Sequence, residues 1–217
     1  MNDEVKGQSQ STTDLRAKRV AQTEAQLIAA AAVLFLDQGY VATTLTQIAV
    51  HAGVAARTVY VRFGTKAELF KRVVDRALVG DAEPVDVAHR PRAQAAMTAS
   101  TLTERIAAFA DLCVDIAGRA GALFEVAAQA EGLEPELADA AQEGRRATSE
   151  LCRSFWDTAA TDGLIMQDLH PEQLAIVTDI LLCADTIVHL RRTDGWSASA
   201  HRSLIVDTLT ALTKPQA

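Results

Sequence analysis

Between residues 44 and 66, the side chains able to make directional polar contacts are mainly hydroxyls and cations. Thr44 and Lys66 stand where helices are expected to begin, and Arg57 lies between them. Exposed N–H groups and the positive end of the helix dipole make helix starts suitable for binding phosphate. A guanidinium adds a planar fork that can pair with O6 and N7 of guanine. This chemistry is recognition of an anionic partner rather than the making or breaking of bonds.

Residues that could support catalysis or bind a metal are scattered along the chain. The five histidines are at positions 51, 89, 170, 189 and 201. Cys113, Cys152 and Cys183 form no Cys-x-x-Cys pair or Cys/His cluster. There is no GxSxG elbow, HExxH helix, P-loop or GxGxxG loop. We therefore expect no enzyme, no cofactor and no metal site, and interpret the cysteines as buried apolar residues, with a redox or covalent sensor as the alternative.

The formal net charge of −7 is distributed unevenly along the chain. Residues 1–80 carry ten Lys and Arg against seven Asp and Glu, whereas residues 81–217 carry eleven against twenty-one. Within residues 15–76 the count is nine cations against four anions. Binding to DNA needs a local basic face and not a basic protein. The asymmetry predicts one modestly basic domain joined to an acidic domain that DNA would repel.

Apolar periodicity and helix-end signals predict four helices between residues 19 and 80. The first covers about residues 19–38. Thr44 and Gln47 form a capping box that opens the second. The third, over residues 55–63, follows a tight turn at Gly53, and a fourth continues to residue 80. Two short helices around such a turn are typical of a helix-turn-helix.

The remainder of the chain is expected to be helical after a connecting segment. The predicted elements are a linker at 81–101 and helices at about 102–116, 121–131, 135–163, 171–193 and 198–213. The helix at 171–193 is apolar on two faces, so both faces must be buried. One face can pack on its own domain, and the other is most simply covered by a second copy of the chain.

The compartment is inferred from the absence of membrane and export signals. No apolar run reaches the roughly 18–20 residues that a bilayer-spanning helix needs. The polar N-terminus lacks the apolar region of a secretion signal. We therefore expect a cytoplasmic protein with no membrane partner.

Several short motifs follow one another in a characteristic order between positions 39 and 70. They are Gly39-Tyr40, Thr43-Thr44, Ile48-Ala49, Ala52-Gly53-Val54, Tyr60 with Phe63, and Lys66-Ala67-Glu68-Leu69-Phe70. Over about residues 17–75, the chain resembles the DNA-binding domain of the tetracycline-repressor (TetR) family. The resemblance implies an all-α fold, with an N-terminal three-helix helix-turn-helix domain and a C-terminal helical ligand-binding and dimerisation domain. We place a disordered approach with a basic arm at 1–15, the helix-turn-helix domain at 16–80 and the helical domain at 81–217.

The same resemblance implies that residues 55–61 are a recognition helix in the major groove. We interpret Arg57 as the base reader, with a phosphate contact or a solvated charge as alternatives. Tyr60 resembles the family's phosphate-contacting tyrosine, with a core position as the alternative. Thr58 suits a phosphate or a thymine methyl, whereas Ala56 and Val61 offer only apolar contact. The expected DNA-binding residues are Arg19, Thr44, Thr46, Gln47, Ala56, Arg57, Thr58, Tyr60, Val61, Arg62 and Lys66.

Three of these expectations carry qualifications that arise from the residues themselves. Arg19 belongs to a basic group that could reach phosphates or the minor groove, or could simply end a solvated helix. Ala55 stands where the family most often has serine, so the recognition helix loses a side-chain N-cap, at a cost of about 0.5–2 kcal/mol. Arg62 stands where the family usually has histidine or an aromatic residue, and we expect a cation at the DNA backbone there.

The acidic helical half is implied by the resemblance to bind an effector and to dimerise. The helices at 171–193 and 198–213 would form a four-helix bundle between subunits. Two-fold symmetry then predicts a near-palindromic operator, with recognition helices about 34–36 Å apart. The expected interface residues are Ile176, Ile180, Leu181, Ile187, Leu204 and Leu212. A pocket within the bundle could be lined by Phe109, Leu112, Phe124, Cys152, Phe155, Trp156 and His189.

The function implied by the resemblance is a ligand-responsive transcriptional regulator that binds double-stranded DNA as a homodimer. Because the pocket candidates include few charges, we expect a small apolar or aromatic effector, and plain core is the alternative for each residue. A repressor released by its effector is the simplest scheme, although the ligand could also promote binding. The alternatives are an architectural DNA-binding protein and a protein-interaction module that keeps the fold without effector control.

Overall fold

The computed structural model describes residues 3–80, 86–193 and 196–214, and their side chains from residue 16 onward. Within these ranges the chain forms helices and no strand, which confirms the all-α prediction. The helices are α1 Asp3–Ala42, α2 Leu45–His51, α3 Ala56–Phe63, α4 Lys66–Val79, α5 Pro91–Thr98, α6 Leu102–Ala130, α7 Pro135–Thr161, α8 Pro171–Leu182, α9 Ala184–Arg191 and α10 Ala198–Leu212. Two compact units, Met1–Val73 and Val74–Ala217, divide the chain inside α4. The domain boundary at residue 80 stays a prediction.

The ends of the short helices in the N-terminal unit follow from local hydrogen bonds and from glycine. Gly39 adopts φ +78°, which interrupts α1 just before its end. At the start of α2, the Gln47 amide N–H donates to Thr44 Oγ1 at 3.2 Å, and the Thr44 amide N–H donates to Gln47 Oε1 at 2.8 Å. This reciprocal pair confirms the predicted capping box. Gly53, with φ +67°, makes the tight turn between α2 and α3.

Aromatic packing joins α1 and α4 in the core of the N-terminal unit. The rings of Phe35 and Phe70 meet edge to face with centroids 4.9 Å apart, and Tyr40 meets Phe70 in the same manner at 5.5 Å. Leu27 of α1 and Ile48 of α2 are also fully buried. Aromatic pairs of this geometry contribute about 0.5–1.5 kcal/mol beyond their buried area. The position of α2 and α3 is therefore set by a well-packed scaffold.

Helix α1 begins earlier than expected and is more apolar than expected. It starts at Asp3, within the segment 1–15 that we expected to be a disordered approach, while Met1 and Asn2 lie outside the described residues. Extending an established helix costs far less than nucleating one, so a polar segment can continue it. By length and mean hydropathy, residues Arg16–Ala42 could cross a membrane, although no uninterrupted apolar run of that length is present. A third of that apolar window is buried inside the protein.

The C-terminal unit departs from the predicted elements at two places before α7. Residues 91–98 of the predicted linker form α5, with Pro91 in its first turn, whereas residues 81–85 lie outside the described residues. Helix α6 runs unbroken through the point where we expected a separate helix at 121–131. Gly121 does not break it, because α9 packs against this position: a Cβ built on Gly121 would meet Arg191 at 2.9 Å.

The predicted single helix at 171–193 is two helices, because the chain breaks at Cys183. That residue is extended, with φ −62° and ψ 153°, and α8 and α9 are bent by 42°. The Thr186 hydroxyl donates to the Ile180 carbonyl at 2.5 Å and so satisfies a group that the break leaves without a helical partner. Arg145 holds the start of α9 through Asp185, with Nε to Oδ2 at 3.1 Å. The change of direction also changes which side chains of α9 face the core.

The core of the C-terminal unit lies between α5, α6, α7, α8 and α10. Phe109 and Phe155 stack with centroids 4.4 Å apart, and Trp156 meets Phe155 edge to face at 5.1 Å. The Trp156 indole N–H donates to Thr178 Oγ1 at 2.8 Å, and the Thr178 hydroxyl donates to the Leu174 carbonyl at 2.7 Å. Trp156 and Thr178 are both fully buried, so this chain is a closed polar link between α7 and α8.

We expect Thr178→Val to lower the free energy of unfolding by about 1–3 kcal/mol, because the buried indole N–H would lose its acceptor. Urea unfolding followed by far-ultraviolet circular dichroism measures this change in every variant, including one that lacks Trp156. Trp156→Phe in the Thr178→Val background serves as the control, since it removes the unpaired donor and should cost less than the two single substitutions combined. Additive costs would show that the hydrogen bond has no coupling energy.

Candidate nucleic-acid interface and effector site

Helix α3 presents one face to its own core and a different face to solvent. Val59 and Phe63 are buried, at 0% and 7% exposure. Arg57, Tyr60 and Val61 are exposed, and their spacing of three and four residues puts them on one outward face. Tyr60 is 52% exposed, so the core position considered for it is wrong. The predicted recognition helix therefore exposes the guanidinium of Arg57, the phenol of Tyr60 and the isopropyl group of Val61.

The two arginines of α3 are free of internal partners. Arg57 and Arg62 are both exposed, and neither makes a hydrogen bond or an ion pair within the described parts of the chain. An arginine beside a carboxylate would have its charge largely neutralised. Both guanidiniums therefore keep their full charge and hydrogen-bonding capacity for a phosphate or a base edge.

The start of α2 exposes polar groups, although the capping box occupies some of them. Thr44 Oγ1 donates to Gln47 Oε1 at 2.9 Å as well as accepting the helix N–H. The Gln47 oxygen is therefore engaged inside the cap, and its amide nitrogen is the group that remains for a partner. Thr46 is exposed and makes no side-chain hydrogen bond within the residues that the structure describes.

Lys66 has a structural role that the sequence did not reveal. Its Nζ donates to the Tyr40 carbonyl at 2.8 Å and lies 4.0 Å from the centroid of the Tyr40 ring. The side chain is half-buried, and it fastens the start of α4 to the end of α1. The phosphate contact expected of Lys66 stays a prediction, and removing this side chain would also remove a contact of the scaffold.

We expect Lys66→Ala to lower the free energy of unfolding by about 1–2 kcal/mol in the absence of DNA, because a charged hydrogen bond and a cation–π contact are both lost. Thermal or urea unfolding of the isolated protein measures this effect. Lys71→Ala provides the matched control, since Lys71 is also on α4 and pairs only with Glu68 on the surface. Equal stability of the Lys66 and Lys71 variants would refute the fastening role.

Four other residues lie around the helix-turn-helix, and the structure confirms the sequence prediction for one of them. Ala55 is the N-cap of α3 and provides no side-chain hydrogen bond, as the sequence predicts. Arg19 is exposed on α1. Thr43, to which we gave no role of its own, is fully buried, and its hydroxyl is 2.8 Å from the Gly39 carbonyl. Val50, to which we also gave no role, is 76% exposed, and its sequence context did not indicate this exposure.

The residues expected to line an effector pocket are only partly brought together. Phe109, Leu112, Cys152, Phe155 and Trp156 are buried and belong to one close-packed core. Phe124 is half-buried on α6. His189 is exposed, so its placement in a pocket within the bundle is wrong. The break at Cys183 changes the direction of α9 and leaves this ring outside the core.

The cysteines differ in their degree of burial. Cys152 is fully buried, whereas Cys113 and Cys183 are half-buried. Burial raises the pKa of the Cys152 thiol and raises that of Cys113 to about 12. Both thiols are thus protonated at neutral pH, a state in which cysteine is a poor nucleophile. In the described ranges, no three His, Cys, Asp or Glu side chains are grouped to hold a metal ion.

The residues expected at a dimer interface separate into two groups. Ile176 and Ile180, at 61% and 60% exposure, lie on α8, and Leu204 and Leu212 are exposed on α10. These four are available to a partner. Ile187 is buried against its own α6, and Leu181 is half-buried against its own core, so the assignment of Ile187 to the interface is wrong. The cause is again the break at Cys183, which turns Ile187 inward.

Comparison with known proteins gives one family match and many structural matches. The family model of bacterial regulatory proteins of the tetR family matches residues 27–73. The HTH-type transcriptional repressor BepR of Brucella suis biovar 1 (strain 1330) is 37% identical over 57 residues, which are 26% of this chain and 27% of BepR. The match therefore spans about a quarter of the length of this curated relative.

Solved structures match over most of the chain. NalD, the secondary repressor of the MexAB-OprM multidrug efflux pump in Pseudomonas aeruginosa, has a TM-score of 0.63 at 20% identity, covering 89% of this chain and 96% of its own. SmeT in complex with triclosan has a TM-score of 0.68 at 18% identity, covering 90% and 96%. These identities are low, so the likeness establishes the fold. The family model covers the helix-turn-helix itself, so residues 27–73 form a domain similar to that of the tetR family of bacterial regulatory proteins, and most of the chain shares the fold of NalD and SmeT.

Proposed function

We propose that the protein is a dimeric, cytoplasmic repressor that binds a near-palindromic operator through α2 and α3 and is released by a small apolar or aromatic effector. The observation that carries this proposal is the outward face of α3. It combines an exposed Tyr60 and an exposed Val61 with Arg57, which has no partner among the residues that the structure describes. Such a face suits a groove lined with base edges and phosphates, because it provides both hydrogen-bond donors and apolar contact.

Each polar residue of this unit has a role that follows from its position. Arg57 donates its planar fork to a guanine, and Arg62 meets the sugar–phosphate backbone at the end of the same helix. Thr44 and Lys66 stand at the starts of α2 and α4, where backbone N–H groups and the helix dipole favour phosphate. The backbone contacts set the register of the protein on the duplex, and Arg57 reads the sequence.

Dimerisation through α8 and α10 is supported by their exposed apolar side chains. Ile176 and Ile180 lie one helical turn apart on α8, and Leu204 is exposed on α10. Branched apolar residues exposed in a row are costly in water, and a second copy would cover them with the same surface. Two-fold symmetry then makes the preferred DNA a near-palindrome, with half-sites about one helical turn apart.

An apolar or aromatic effector is supported by the composition of the C-terminal core. Phe109, Phe155 and Trp156 are in mutual contact there, and charged side chains are few. SmeT, which shares the fold, is described with triclosan, a chlorinated aromatic molecule. Because this core is close-packed, an effector would have to open space within it, and would favour a conformation whose recognition helices no longer match the groove spacing.

A gel-mobility shift with fragments of the DNA upstream of its own gene tests this proposal. We expect one near-palindromic fragment to be retained at moderate salt in the presence of excess random duplex, with two chains bound per site. Uniform binding to all fragments would indicate an architectural protein instead. Failure to bind any fragment would overturn the proposal. The remaining alternative would then be a protein-interaction module that keeps this fold.

A further inference from the structure

Val61 is an exposed apolar residue on the face of α3 that we assign to DNA. It is 75% exposed, and it stands four residues after Arg57 and next to Tyr60. Valine forms helices less readily than alanine, arginine or lysine, because its branched side chain loses rotamer freedom. Helix α3 has eight residues and lacks a side-chain N-cap, so local stability gives no reason for a valine at this position.

The major groove contains one apolar group that matches such a side chain. Every base pair displays hydrogen-bond donors or acceptors there, but only thymine adds a C5 methyl group. A valine cannot use the donors or acceptors. Its two methyl groups can gain from contact only with the thymine methyl, because burying both removes apolar surface from water.

We propose that Val61 is a specificity-determining residue that reads a thymine methyl within two base pairs of the guanine contacted by Arg57. Residues four apart on an α-helix are separated by about 6 Å along its axis, and successive bases on one strand by about 3.4 Å. The two contacted bases should therefore lie one or two base pairs apart. This inference rests on the proposed DNA-binding role of α3 and adds a second base preference to each half-site.

Neighbouring side chains are less suited to this contact. Ala56 and Thr58 are half-buried, and Ala56 has only a single methyl group. Tyr60 is exposed, but its hydroxyl needs a polar partner, which a phosphate provides better than a methyl group does. Val61 is thus more exposed than Tyr60 and is the only fully apolar side chain among the exposed residues of α3.

Replacement of thymine by deoxyuridine tests the proposal, because it removes the C5 methyl and leaves every hydrogen-bonding group in place. Each thymine of the bound operator is replaced in turn, and the dissociation constant is measured by fluorescence anisotropy. For the wild-type protein, we expect one position per half-site at which the substitution weakens binding about fourfold, the factor that loss of one buried methyl-sized group implies. Val61→Ala should bind the thymine operator more weakly and be insensitive to deoxyuridine at that position, whereas Val61→Ile should keep the sensitivity.

Val50→Ala is the matched control, since Val50 is equally exposed but lies on α2. Its deoxyuridine profile should equal that of the wild type. A flat profile for the wild type, or an unchanged profile in Val61→Ala, would overturn the proposal while leaving the DNA-binding function intact. If the wild-type protein binds no operator at all, both the proposed function and this inference are wrong. Circular dichroism of Val61→Ala, Val61→Ile and Val50→Ala checks that each variant is folded.

Discussion

Arg57→Ala abolishes the preference for one base pair in each operator half-site and lowers specific affinity by roughly 30-fold or more. A bidentate arginine–guanine contact is worth about 1–3 kcal/mol of discrimination, and a dimer makes it twice. Arg57 is exposed and free of internal partners within the described residues, so its removal should not perturb the fold. Selection from a randomised half-site library, followed by sequencing, measures the preference directly.

Arg72→Ala is the matched control for this variant. Arg72 is an exposed arginine of the same unit, but it lies on α4 and forms a surface ion pair with Glu68. Its loss removes the same charge and should weaken all sequences to a similar extent, without changing any base preference. If Arg57→Ala and Arg72→Ala give the same base profile, then Arg57 contacts the backbone and the assignment of its role is wrong.

Ile180→Glu should convert the dimer to a monomer at micromolar concentration, with dimerisation weakened by about 100-fold or more. Each subunit would place an unpaired carboxylate in an apolar interface, and the two-fold axis would repeat the penalty. Ile180 is a better probe than Leu181, because Leu181 also packs against its own core and its replacement would disturb folding. Sedimentation equilibrium measures the association constant, and operator affinity should fall with it.

Leu133→Glu is the matched control, because Leu133 is also 60% exposed but lies in the turn between α6 and α7. It introduces the same charge at the same exposure, and the protein should remain a dimer. A dimeric Ile180→Glu protein would show that α8 does not form the interface. Monomers from both variants would point to general destabilisation instead.

Much of the fold is predictable because many helix ends depend on residues close in sequence. The capping box of Thr44 and Gln47, the positive φ of Gly53 and the proline-led starts of α7 and α8 are all local. The outward face of α3 is equally predictable, because a period of 3.6 separates Val59 from Arg57 and Val61. The helix-turn-helix elements were therefore accessible from pattern and spacing, whereas their proposed role in DNA binding came from the resemblance to the TetR family.

The features that escaped prediction depend on partners distant in sequence. The break at Cys183 accompanies an ion pair between Asp185 and Arg145, forty positions earlier. Arg105, which is 4% exposed, binds Asp162 at 2.5 Å and has no apolar pattern to reveal its burial. Lys66 was expected only at a phosphate, yet its contact with Tyr40 closes a span of 26 residues. The break at Cys183 and the ion pair of Asp185 orient α9, which explains why Ile187 and His189 were misplaced.

The most direct test of the central claim is a titration of the near-palindromic upstream duplex with the wild-type protein, followed by fluorescence anisotropy across a range of salt concentrations. We expect affinity for this duplex to exceed that for a scrambled duplex by about 1000-fold or more at physiological salt, with both affinities falling steeply as salt increases. Equal affinity for the two duplexes at every salt concentration would contradict sequence recognition by α3.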